Sequence, residues 1–127
     1  MRTLLASAGL ALLLGLATAP SISAQEAPGW MKQTLPDQAL KPLWDEYLAV
    51  MNPTGALDGK TKQLIGLAVA AQIPCEYCVF AHTKAAKAAG ATDAQIKEAI
   101  AVAALIRFNS TMLNGSDGGR EWAPQRK

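Results

Sequence analysis

The apolar positions of this chain recur at helical spacing over four segments, and no stretch alternates apolar and polar residues as a half-buried strand does. From Asp37 to Met51, Leu40, Leu43, Trp44, Tyr47, Leu48 and Met51 fall on one broad face, and Asn52-Pro53-Thr54-Gly55 stops the run. A second helix is predicted from about Asp58 to Gln72. Leu64, Ile65, Leu67, Ala68 and Val69 make it apolar most of the way round, which suits a central or interface helix. Pro74, with its fixed φ, suits the first turn of a third helix, which is rich in alanine to Ala89 and closed by Gly90. Thr92-Asp93-Ala94-Gln95 is a capping box that opens a fourth helix running to about Met112. Its expected core contacts are Ile96, Ile100, Ala103 and Leu105 or Ile106. Residues 25–36, with Pro28, Gly29 and Pro36, read as an irregular lead-in, and Asn114 to Gly119 as a flexible exit. The expected fold class is all-α.

The N-terminus follows a different logic. Arg2 supplies a short positive region, Leu4 to Leu16 an apolar one, and Ser21-Ile22-Ser23-Ala24 ends on a small residue before Gln25. This is the pattern of a secretory signal peptide over residues 1–24, and the apolar run is short for a membrane span. Its removal would leave 103 of the 127 residues, one small domain over 25–127 with its core at about 37–112. The expectation is an exported protein, periplasmic or secreted, with no stable membrane insertion after cleavage. The net charge is only +2, and no basic stripe carries interleaved aromatics, so nucleic acid is not an expected partner. Alanine-rich helices are thin, and small all-α chains of this kind complete their cores by oligomerising, so a homo-oligomer is expected.

Composition also concentrates the chemistry. The chain has two cysteines and one histidine, all within Cys75-Glu76-Tyr77-Cys78-Val79-Phe80-Ala81-His82. On a helix these three residues follow i, i+3, i+7 spacing and lie along one face. In an exported protein such a pair is either oxidised at rest or cycles through oxidation. A helix N-terminus favours an anion at Cys75, whereas His82 favours reaction at Cys78; these effects select different sulfurs. Three other readings compete with a redox-active pair. A purely structural disulfide across one turn would remove little unfolded-state entropy. A zinc site of Cys75, Cys78 and His82 would be one ligand short, with Glu76 on the wrong face to complete it. Buried inert thiols would leave the histidine unexplained. No metal or other cofactor is expected. Lys60 and Lys62 read as a solvated face.

Leu64-Ile65-Gly66-Leu67-Ala68-Val69-Ala70, followed by Cys75-Glu76-Tyr77-Cys78-Val79-Phe80-Ala81-His82-Thr83, resembles the core of the AhpD-like alkylhydroperoxidase and carboxymuconolactone decarboxylase superfamily. Gly90-Ala91-Thr92-Asp93-Ala94-Gln95-Ile96 fits it as well, so the likeness covers roughly residues 55–110. The resemblance implies an all-helical dimer, trimer or hexamer with peroxidase activity of the peroxiredoxin type, or disulfide reductase activity. Cys78 would then attack a hydroperoxide or disulfide substrate, Cys75 would resolve, and His82 would relay protons. A dithiol or a thioredoxin-like protein would serve as reductant. The decarboxylase branch as a rule lacks the cysteine pair. In one respect the chain departs from the pattern: the relay glutamate, twelve residues before the first cysteine, is here Gln63. An amide can hydrogen-bond but cannot accept a proton as a carboxylate does. The alternative expectations are a non-catalytic oligomeric scaffold or binding protein with a permanent Cys75–Cys78 disulfide, or a carboxymuconolactone decarboxylase-like enzyme.

Overall fold

A computed structural model describes residues 25–116, and the expected signal peptide at 1–24 lies outside them. Five helices follow in order: α1 (Gly29–Thr34), α2 (Asp37–Val50), α3 (Gly59–Gln72), α4 (Glu76–Ala88) and α5 (Asp93–Gly115). The described residues contain no strand beyond an isolated bridge between Thr54 and Asp58, so the all-α expectation holds. None of these helices is long and apolar enough to cross a membrane.

Local chemistry sets the helix boundaries. The Asp58 carboxylate accepts the Thr61 amide at 2.8 Å and the Thr61 hydroxyl at 3.1 Å, capping α3. These bonds hold its carboxyl below the ordinary value. At the end of α4 the chain turns through Gly90 at φ 84°. There the Gly90 amide bonds to the Lys87 carbonyl and the Ala91 amide to the Ala86 carbonyl, the paired bonds of a glycine-terminated helix. The predicted capping box is complete: the Gln95 amide donates to the Thr92 hydroxyl at 3.2 Å, and the Thr92 amide donates to the Gln95 side chain at 3.0 Å. Pro42 lies within α2 on an exposed turn, where it withholds one hydrogen bond from the Gln38 carbonyl.

Helix α3 is the centre of the arrangement, packed chiefly against α4 and α5, with α1 laid on α2. The buried side chains are Met31, Leu67, Ala70, Ala86, Ile96 and Ala103. Small residues at three of these positions allow close helix approach, and Leu67 on α3 is completely covered.

Five sequence expectations need correction. The lead-in at 25–36 is not irregular throughout, because residues 29–34 form α1, anchored by buried Met31. Helix α4 begins at Glu76, so Pro74 lies outside it and Cys75 caps it rather than occupying its first turn. Helix α5 runs three residues beyond Met112, to Gly115, and its last turns carry bonds from Thr111 to the Arg107 carbonyl and from Asn114 to Ser110. Of its expected core residues only Ile96 and Ala103, seven apart on one face, are buried; Ile100, Leu105 and Ile106 are exposed because no described element covers them. Lys62 is likewise no simple solvated residue. Its ammonium donates to the Val50 and Asn52 carbonyls at 2.8 and 2.7 Å, tying the end of α2 to the start of α3.

Thr92→Ala removes the hydroxyl that satisfies the first turn of α5. The expected loss is about 1 kcal/mol, read as a drop of roughly 4–8 °C in the thermal midpoint followed by circular dichroism.

Candidate active site

The connection between α3 and α4 determines where the two sulfurs lie. Ile73 and Pro74 end α3, and the chain re-enters a helix with Cys75 at the cap position. Cys75 and Cys78 are joined as a disulfide, S–S 1.99 Å. The Cys78 amide donates to Sγ of Cys75 at 3.2 Å. A cap position places an unpaired helix amide against whatever the side chain offers, and sulfur here fills the role that oxygen fills in a serine cap. The same donor stabilises a thiolate when the pair is reduced.

One turn beyond Cys78, the imidazole of His82 lies against α3. Its Nδ1 is 2.8 Å from Oε1 of Gln63. A carboxamide oxygen only accepts, so Nδ1 carries the proton and Nε2 keeps its lone pair. The departure from the family pattern at Gln63 thus falls on the residue that orients the histidine. A carboxylate at this position would also stabilise the imidazolium; the amide fixes the ring without doing so. Partial burial further lowers the pKa of His82 below its ordinary value, and desolvation of the charged form is the cause. His82 is therefore a neutral base over a wider pH range than a free histidine.

The ring can sit there because position 66 has no side chain. A Cβ on Gly66 would lie 2.7 Å from both Cε1 and Nδ1 of His82, closer than real contacts allow. A glycine inside an apolar helix is the signal that could have exposed this seat from sequence, since it marks a close approach to the backbone.

Cys78 and His82 together line two cavities. The first, about 280 Å³, is walled by Trp30, Trp44, Tyr47 and Tyr77, with Gln63 at its side. Trp30 and Tyr77 meet edge to face with centroids 6.2 Å apart, and Trp44 and Tyr47 are stacked at 5.1 Å. The Trp44 indole donates to the Gln25 carbonyl at 2.8 Å, holding the N-terminal segment beside this aromatic box. The second cavity, about 470 Å³, opens between α2 and α3, with Glu46, Gly66, Val69 and Ile73 among its walls. A larger hollow of about 570 Å³ reaches Gln63 but neither cysteine, so it lies outside the chemistry. Among the described residues no group of three or more His, Cys, Asp or Glu side chains is placed to hold a metal ion.

All four residues singled out by the sequence, Gln63, Cys75, Cys78 and His82, are therefore brought to one junction of α3 and α4. The aromatic walls and Gly66 were not foreseen. Trp30 and Trp44 come from elements outside the motif, and nothing in their local spacing relates them to Cys78.

Burial disfavours the imidazolium only in the folded state, so the unfolded chain binds the proton more tightly. The stability contributed by neutral His82 is thus complete above its ordinary value of about 6.5. It is lost as pH falls from there through the lowered folded value. A titration of the His82 ring by NMR is expected to give a midpoint below 6.5, whereas Gln63→Glu is expected to move that midpoint upward. Gly66→Ala is expected to displace the ring, removing the shift and destabilising the protein by about 1–3 kcal/mol.

Comparison with known proteins bears on the family and the fold. The curated protein "uncharacterized protein 4 in cox locus" of Paracoccus denitrificans is 50% identical over 66 residues, covering 50% of this chain and 60% of that protein. The crystal structure of the alkylhydroperoxidase AhpD core from Rhodospirillum rubrum is similar with a TM-score of 0.59 and 39% identity, over 62% of this chain and 59% of that one. The chain thus spans about three fifths of the length of each of these proteins. The family model for the carboxymuconolactone decarboxylase family matches residues 38–116, the span from α2 to the end of α5. The chain belongs to the carboxymuconolactone decarboxylase family.

Proposed function

We propose that this protein is an exported, thiol-dependent oxidoreductase that reduces hydroperoxides, or exchanges disulfides, through Cys75 and Cys78. The observation that carries this reading is the joint exposure of Cys78 and a neutral, oriented His82 in the same cavities, with Cys75 already bonded to Cys78. In the reduced protein, Nε2 of His82 takes the proton of the Cys78 thiol. The thiolate attacks a peroxide oxygen and the O–O bond breaks. Cys78 becomes a sulfenic acid, and the organic fragment leaves as an alcohol with the proton returned. The Cys75 thiol then attacks the Cys78 sulfur and expels water, which forms the disulfide seen in the structure. A dithiol or thioredoxin-like reductant restores both thiols.

The likeness to an alkylhydroperoxidase core supports this reading. The aromatic box also suits an apolar organic hydroperoxide better than a small hydrophilic one.

A homo-oligomer forms part of the same proposal. Val102, Leu105, Ile106, Phe108 and Met112 on α5, with Ile65 on α3, expose large apolar side chains that a second copy would cover. The pattern at residues 1–24 supports export, and an exported pair would lie in a compartment where disulfides persist.

In an assay with an organic hydroperoxide and excess dithiothreitol, Cys78→Ser is expected to abolish turnover; full retention would exclude this reading. Gln63→Glu is expected to raise the rate above neutral pH and to shift the acid limb of the profile upward, because a carboxylate beside Nδ1 strengthens the base. An unchanged rate and profile would show that this position takes no part in the relay.

A further inference from the structure

The two cysteines line different parts of the surface. Cys78 lines the two cavities it shares with His82, and Cys75 lines neither. Cys75 opens instead into a third cavity of about 490 Å³, set where α3 ends and α4 begins. Its walls include Pro74, Glu76, Val79, Phe80 and Thr83, but neither Cys78 nor His82. The cavities also differ in where their charge lies. Glu46 is the carboxylate at the larger Cys78 cavity, whereas Glu76 is the carboxylate at the Cys75 cavity. Both are on exposed helical positions, Glu46 on α2 and Glu76 on the first turn of α4.

We propose that the reductant enters through this third cavity and attacks Cys75, so that reductant and hydroperoxide reach the pair by separate routes. The proposal rests on the reading of the pair as one that cycles between thiol and disulfide. Exchange depends on which sulfur an incoming thiolate can reach and on which thiolate then departs. Attack on Sγ of Cys75 forms a bond between the reductant sulfur and Cys75, and breaks the Cys75–Cys78 bond. The electron pair goes to Cys78, which leaves as a thiolate beside His82. The second thiolate of the reductant then displaces Cys75 and closes the reductant's own disulfide. Two electrons and two protons have passed from the dithiol to the pair.

This order has a kinetic consequence. While the reductant is bound to Cys75, Cys78 already stands free in the cavities lined by His82, and a hydroperoxide can occupy them without displacing the reductant. Attack at Cys78 instead would bring the reductant into the cavities that Cys78 shares with His82, where the hydroperoxide binds. The exposed ring of Phe80 and the side chain of Val79 give the Cys75 cavity an apolar wall against which the carbon chain of a reductant can lie.

The carboxylates allow the route to be read directly. The disulfide of the purified chain is reduced at low ionic strength by two monothiols of opposite charge, cysteamine and 2-mercaptoethanesulfonate, and the rates are followed by acid quench and thiol alkylation. Glu76→Lys is expected to raise the sulfonate-to-amine rate ratio by roughly three- to tenfold, an effect that added salt suppresses. Glu46→Lys is expected to leave that ratio unchanged. Fragmentation mass spectrometry of the quenched adduct is expected to place the thiol on Cys75. A ratio that follows Glu46→Lys, or neither substitution, together with an adduct on Cys78, overturns the route while leaving a cycling pair intact. Failure of either thiol to reduce the native pair would remove the cycling itself, and this proposal with it.

Discussion

The contact on which the rest of the site depends is the close approach of the His82 imidazole to α3 at Gly66. A hydrogen in place of a side chain lets the ring lie flat against the helix, and Gln63, three residues earlier on the same helix, reaches its Nδ1. The i, i+3 relation puts the gap and the hydrogen-bonding group on one face of α3. The register of α3 against α4 is thereby tied to the orientation of the His82 ring. Leu67 and Ala70 bury the adjacent positions, so the same helix face that supplies the seat also supplies the core. An aliphatic side chain at position 66 would disturb packing and chemistry together.

The second organising element is the abrupt turn between α3 and α4. Pro74 prevents α3 from continuing, and Cys75 becomes a cap whose sulfur receives the amide of the residue that carries its partner sulfur. Helix capping and disulfide placement are therefore one arrangement rather than two. Little of the remaining chain is deeply buried: α2 has no buried residue, and α5 buries only Ile96 and Ala103. A fold this thin gains its rigidity where α3, α4 and α5 meet. The Cys75–Cys78 disulfide is attached to that region, while Trp30, Trp44 and Tyr47 are brought in from the outer helices.

Much of this was legible in the chain. The apolar spacing gives four of the five helices, the Thr92–Gln95 box and Gly90 give two boundaries to the residue, and the spacing of Cys75, Cys78 and His82 puts all three along α4 and its cap. What local pattern could not supply was tertiary partnership. Gln63 stood out only because a carboxylate was expected there; that its amide holds the imidazole depends on how α3 lies on α4. Lys62 looked like an ordinary surface lysine, yet it binds two carbonyls at the end of α2. Residues 29–34 were masked by their glycine and flanking prolines, and their helix is stabilised by the burial of Met31 rather than by propensity. Ile100, Leu105 and Ile106 show the converse limit. Periodicity identifies an apolar face, but it does not say whether the same chain covers it.

In the proposed function the Cys75–Cys78 bond is one state of a redox cycle driven by peroxide. The most direct test is to reduce the purified chain, remove the reductant and add one equivalent of an organic hydroperoxide, counting thiols, disulfide and alcohol. The expected result is the loss of both thiols of each chain, with one Cys75–Cys78 disulfide re-formed and one alcohol released per peroxide consumed. Persistence of both thiols with the peroxide intact would contradict it.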